Sequence, residues 1–320
     1  MTTDSTGTDL VDVHAHFVTD EYVAAARAAG IDRPDNMPNW PSWSAEAHLD
    51  VLDRAGVHKA ILSISSPGIH FGDDAAATTL GVHVNDFAAD ICRENPDRFG
   101  FFAALPLPSV DGALEEIERA FALGATGVAI ESSAGGTYLG DPSYAPVWGE
   151  LNRRHAIVFV HPTSPPAAEL TDIGLPRPML EFIFDTTRTM TDLIVSGTLK
   201  NNPDVRVIAP HCGAALPFLA DRIQFVLDVL DRAGQGQDTP DFTAQLRRLW
   251  FDVAGFPMPT QIPALLATVG PEHLLYGSDY CWTAPAGVDH QISTLDQQWP
   301  EREMPWRSLF SENARHLLAP

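Results

Sequence analysis

The sequence predicts a single (β/α)8 barrel over residues 1–320, and three observations carry that prediction. Apolar runs of strand length alternate with longer amphipathic stretches from one end of the 320 residues to the other. No low-complexity linker divides the chain, and one barrel routinely reaches this size. Residues capable of chemistry end several of the strands, a barrel trait that an open doubly wound sheet with similar local patterns need not show.

Taken in order, the expected strands are 10–13, 59–63, 99–104, 127–130, 157–160, 205–208, 249–251 and 274–276, each a short apolar run. Helical patterns lie between them at 44–55, 78–95, 110–123, 144–154, 189–200, 216–231 and 261–269. Several end where helices stop, at Gly56, at Gly124 and at Asn202 before Pro203. Two segments break the alternation. Residues 30–43 crowd Pro34, Pro38, Pro41, Trp40 and Trp43 into an early insertion, too aromatic for a solvated loop and a candidate either for a lid over a site or for local packing. Residues 234–240 are polar and expected to be a surface loop.

Composition narrows the function. With 20 Lys plus Arg against 42 Asp plus Glu, the formal charge is −22, which argues against nucleic acid and anionic membrane as partners. Hydrophobic residues at 45% and charged residues at 19% describe a chain that folds rather than a disordered one. No run approaches the length of a membrane span, residues 1–9 carry no signal pattern, and the expected setting is the cytoplasm. Cys92, Cys212 and Cys281, odd in number and far apart, are expected to be reduced and buried.

Five strand-end residues stand out. The first strand runs into His14 and His16, two apart and so on the same side of an extended chain. The fifth ends at His161, the sixth runs into His211, and the eighth into Asp279. Imidazole and carboxylate together suit Zn2+ and neighbouring divalent ions, and a catalytic site keeps a position open for substrate. Ligands scattered over strand ends argue against a closed structural metal site, which takes its Cys or His in short pairs.

The residues around these positions resemble the metal-dependent decarboxylase branch of the amidohydrolase superfamily, the group of aminocarboxymuconate-semialdehyde and γ-resorcylate decarboxylases. The resemblance runs through VDVHAH (11–16), LDRAGV (52–57), LGATGV (123–128), VHP (160–162), HCG (211–213), YGSDY (276–280) and ENA (312–314). PSWS (41–44), AILSISSPG (60–68) and YLGDP (138–142) are most similar to 6-methylsalicylate decarboxylases. The resemblance implies that His14, His16, His161 and Asp279 hold one divalent ion, Zn2+ first and Mn2+ second, with His211 catalytic beside it and no organic cofactor. It also implies a homodimer. The carbamylated lysine of two-metal relatives is missing from the fourth strand, which ends in Glu131, an alternative ligand. Where muconate enzymes carry carboxylate-binding arginines, this chain has His48 and Leu230, which favours a monocarboxylate such as a hydroxybenzoate.

The mechanism expected on that basis is non-oxidative decarboxylation of an ortho-hydroxybenzoate-like acid. Asp279 would deliver the proton to the ring carbon and His211 would hydrogen-bond the substrate's oxygens. Trp43, Phe184, Tyr280 and Trp282 are candidates for the ring pocket, His48 and Arg188 for further substrate contacts, and Glu181 for support of His211 or of a water on the metal, or as an alternative ligand. The same ligand set could instead activate water in a hydrolase or hydratase of a lactone, amide or unsaturated acid.

Overall fold

A computed structural model describes residues 9–234, 240–300 and 304–319, so the expected loop at 234–240 lies almost wholly outside the described residues. Eight parallel strands form one sheet in chain order: β1 (Val11–His16), β2 (Lys59–Ser63), β3 (Phe99–Ala104), β4 (Gly127–Glu131), β5 (Ile157–His161), β6 (Arg206–Ala209), β7 (Trp250–Asp252) and β8 (Leu274–Leu275). Parallel bridges from Asp12 to Tyr276 and from Ala15 to Tyr280 bring the last strand's end back to β1, and a (β/α)8 barrel results. The small hairpin Ser133–Ala134 with Thr137–Tyr138 sits after β4.

The helices are α1 (Asp20–Ala28), α2 (Ala45–Ala55), α3 (Asp74–Glu94), α4 (Val110–Ala122), α5 (Ala145–Arg153), α6 (Glu181–Val195), α7 (Thr198–Asn201), α8 (Leu216–Arg232), α9 (Phe242–Leu246), α10 (Gln261–Val269), α11 (Pro285–Gln298) and α12 (Trp306–Leu318). Two expectations are corrected. The helix expected at 189–200 begins at Glu181, and it breaks at Gly197, whose φ of +79° is left-handed, before the short α7. The helix expected from residue 78 begins at Asp74, where the Asp73 carboxylate caps the Ala76 N–H.

The core has two parts. Val11, Val13, Ile61, Phe102, Phe159, Ile208 and Leu275 pack inside the barrel, closed at one end by Ala314 and Leu317 of α12. The larger part lies between strands and helices and includes Leu10, Ala15, Phe17, Leu62 and Phe101. Val13 and Ala15 therefore belong to different faces although they are two apart. The register of β1 against β2 shifts between Asp12 and Ala15, and this bulge moves His14 and His16 to the inner face. Simple alternation would have put them opposite Val13.

Candidate metal centre

Side-chain donors of His14, His16, His161 and Asp279 all lie within 4.8 Å of one another, the one such group among the described residues. Asp279 Oδ1 is 3.4 Å from His16 Nε2 and 3.6 Å from His14 Nε2. Its Oδ2 is 3.9 Å from His211 Nε2. The Nε2 atoms of His14 and His16 are buried with no hydrogen-bond partner. Leaving such atoms unpaired costs about 1–3 kcal/mol each, and a cation held between three imidazoles and a carboxylate removes that cost. The donor set therefore fits a divalent ion.

The ligands are aimed by a surrounding layer. His14 Nδ1 donates to Asp252 Oδ2 at 3.0 Å, and Asp252 Oδ1 accepts the backbone N–H groups of His211 and Ala254 at 3.1 and 3.0 Å. One carboxylate at the end of β7 thus fixes both a ligand and the histidine beside the site. His16 Nδ1 lies 3.1 Å from Ser63 Oγ at the end of β2. Asp12 Oδ1 accepts from the N–H groups of His14 and Ser278, both at 3.1 Å, and so ties β1 to the loop carrying Asp279. Asp279 and His211 sit at φ of 58° and 53°, left-handed backbone that costs a non-glycine residue on the order of 1–3 kcal/mol and that is kept where function requires it.

These contacts set the charge states. Burial alone would raise the Asp279 carboxyl, but the imidazoles of His16, His211 and His14 crowded against it hold it well below the usual carboxylate range. Burial lowers His16 and lowers His161 much further, keeping both neutral and free to coordinate. Burial also opposes a proton on His14, yet the Asp252 carboxylate outweighs it and raises the imidazole above its ordinary value.

His161, His211 and Asp279 open onto a cavity of about 370 Å³ whose walls include Met37, Phe182, Ile183, Phe256 and Trp282, with Asp35, Ser65, Ser66 and Gln261 among its polar groups. Its size suits one substituted aromatic ring.

The amidohydrolase family model matches residues 11–319. The chain belongs to the amidohydrolase family. Within it the chain is 36% identical to the decarboxylase yanB of Aspergillus niger, over 90% of this chain and 81% of that one. It is equally 36% identical to 6-methylsalicylic acid decarboxylase of Penicillium expansum, over 84% of each chain. Among solved structures, the 5-carboxyvanillate decarboxylase of Novosphingobium aromaticivorans, complexed with manganese and 4-hydroxy-3-methoxy-5-nitrobenzoic acid, superposes with a TM-score of 0.85 at 22% identity, covering 98% of this chain and 97% of that one. The solved structure shows the shared fold, and the two relatives place the amidohydrolase in its decarboxylase branch.

Of the aromatics expected around the ring, this amidohydrolase places only Trp282 in the cavity wall. Trp43, His48 and Tyr280 instead form a cluster behind the barrel wall. Trp43 Nε1 donates to His48 Nδ1 at 3.0 Å, and the His48 ring lies 4.6 Å from that of Tyr280. Burial pushes His48 down to about 3, so it is neutral and buried away from the cavity. Because α6 begins at Glu181, Phe182 and Ile183 face the cavity, while Phe184 is 43% exposed and Arg188 projects outward beside Asp185 and Tyr138. Glu181 is half-buried and is not part of the cavity lining. Glu131 Oε2 lies 3.5 Å from His161 Nδ1 but outside the four-donor group, facing a smaller cavity of about 200 Å³. Cys212 and Cys281 are buried free thiols, not donors in the group.

Residue-level reading missed Asp252, one position past the expected end of the seventh strand. It also missed Asp35, Phe182 and Ile183. Asp252 alone had a readable signal, since every strand end in this fold is a candidate position.

Proposed function

We propose that this amidohydrolase is a non-oxidative decarboxylase of a small aromatic monocarboxylic acid with an ortho hydroxyl, using one divalent ion held by His14, His16, His161 and Asp279. The observation that carries the reading is the four-donor group opening onto a ring-sized, largely apolar cavity. The decarboxylase relatives support it.

When bound, the ion supplies positive charge that orients the substrate's carboxylate and neighbouring oxygen. His211 donates a hydrogen bond to those oxygens. Asp279 rests ionised, so it takes up a proton before turnover; His211 Nε2 lies 3.9 Å from its Oδ2. Asp279 then protonates the ring carbon bearing the carboxylate. The bond to the carboxylate breaks, its electron pair restores the aromatic ring, and CO2 leaves. Phe182, Ile183 and Trp282 hold the ring and exclude water. No electron donor or acceptor is needed.

The donors suit Zn2+ foremost and also Mn2+, the ion named with the structural neighbour. A homodimer fits the exposed apolar face of α8, where Phe218 and Phe225 are 56% and 63% exposed and Val226 and Val229 lie alongside. The free cysteines agree with a reducing, cytoplasmic setting. No described helix is long and apolar enough to cross a membrane.

The test is to load the protein with Zn2+ or Mn2+ and follow CO2 release from a panel of ortho-hydroxybenzoates, with aryl lactones and amides alongside. CO2 from at least one hydroxybenzoate is expected. Hydrolysis of a lactone or amide with no CO2 from any acid contradicts the reading.

A further inference from the structure

The insertion at 30–43, a candidate lid, contributes Asp35 to the site. This residue lines the substrate cavity, is 9% exposed, and sits in left-handed backbone at φ 48°, ψ 36°. It lies outside the four-donor group. Its surroundings are built rather than incidental. The Ser164 hydroxyl donates to Asp35 Oδ1, and Arg177 Nη1 donates to Ser164 Oγ at 2.8 Å. Next to it, Asn36 Nδ2 donates to Asp172 Oδ2 at 2.8 Å, and that oxygen lies 3.7 Å from Arg177 Nη2. The short turn Pro34–Asn36 is thus clasped to the segment after β5, and the carboxylate is held in the cavity wall by partners outside the reaction.

A carboxylate offers about four acceptor sites, and the hydroxyls of Ser164 and Ser66 with the Ser164 N–H take up three of them, leaving one. Asp35 lines a cavity whose apolar walls are Met37, Phe182, Ile183, Phe256 and Trp282 and whose other polar groups outside the metal site include Ser65, Ser66 and Gln261. Buried acceptors of this kind discriminate strongly, because a ligand lacking the matching donor leaves them unpaired.

We propose that Asp35 is a specificity-determining residue: it accepts a hydrogen bond from a second donor, a hydroxyl or amino group, on the substrate's ring away from the reacting carboxylate, and it excludes rings that carry a second carboxylate. This rests on the decarboxylase reading above. It narrows the substrate from an ortho-hydroxybenzoate to one with a further ring donor.

The test measures binding calorimetrically and CO2 release separately, so that the two readings fail separately. Metal-loaded wild type, Asp35→Ala and Asp35→Asn are compared on 2-hydroxybenzoate, on the dihydroxybenzoates that add a hydroxyl at each other ring position, and on hydroxybenzene dicarboxylates. Wild type is expected to bind one dihydroxybenzoate about tenfold or more tightly than 2-hydroxybenzoate, and D35A to lose that preference. D35N, which keeps the shape and loses the charge, is expected to admit the dicarboxylate at least about tenfold better than wild type does. Metal content checks that each variant is intact. Wild type indifferent to the second hydroxyl overturns the proposal without any variant, as does D35A retaining the preference, or D35N still excluding the dicarboxylate with its metal bound. Retained binding preference with no CO2 release would contradict the decarboxylase reading and leave the role of Asp35 standing.

Discussion

Asp252 does two jobs through one carboxylate, orienting the His14 ring and pinning the backbone of His211. Replacing it with Asn keeps the size but removes the charge that raises His14, so metal affinity should fall about 10–100-fold with the fold intact, as competition with a chelating dye would show. Unchanged affinity would remove Asp252 from the site. The pair also carries a pH signature. Burial works against both charges, yet each partner's charge wins, so Asp252 is lowered from 3.8 and His14 is raised from 6.5. Stability from the lowered carboxyl is present above its unfolded value and lost as pH falls through the folded one. Stability from the raised imidazole is present below 6.5 and lost as pH rises through its folded value. Metal-free protein should therefore gain from this pair between about pH 4 and 6.5, and melting curves of wild type and Asp252→Asn should converge on either side of that window.

Strand ends bring the site together, and Gly277 shows how closely they approach. A Cβ there would sit 2.7 Å from His14 Cβ and 3.1 Å from Asp252 Cβ. Gly277→Ala should push the end of β8 outward and carry Asp279 away from the histidines, so metal content should drop while far-ultraviolet circular dichroism stays barrel-like. Full metal occupancy in that variant would contradict the geometry. The eight strands were legible because each is a short apolar run set between longer amphipathic stretches. The four donors were legible because they close or directly follow three of those runs. The bulge in β1 was not, since it depends on pairing with β2, and alternation alone gives the right neighbours on the wrong face. The cavity wall was not legible either: Phe182 and Ile183 face inward only because α6 starts at Glu181, a boundary that no local pattern marks. Trp43 and Tyr280 had the right chemistry for a ring pocket, but the packing of His48 draws them behind the wall.

At the scale of the whole molecule, a chain of charge −22 must admit an anion. Most of its carboxylates lie on outer helices, and the cavity itself adds Asp35 and Asp279. The long-range field therefore opposes approach, and attraction begins only near the metal. At ~0.01 M salt the screening length is ~30 Å and at ~0.1 M it is ~10 Å. Raising salt over that range should increase kcat/KM for an anionic acid and leave kcat unchanged, which initial rates would show. A decrease would mean that local positive field already reaches into solvent.

The central claim is that one divalent ion, held by His14, His16, His161 and Asp279, is required for carbon–carbon cleavage. Its most direct test is to strip the protein with a chelator, add Zn2+ or Mn2+ back in measured steps, and follow CO2 release from the hydroxybenzoate that wild type turns over. The expected result is no release from the stripped protein, then a linear rise that levels off at one ion per chain. Release that survives stripping, or that levels off only at two ions per chain, would contradict it.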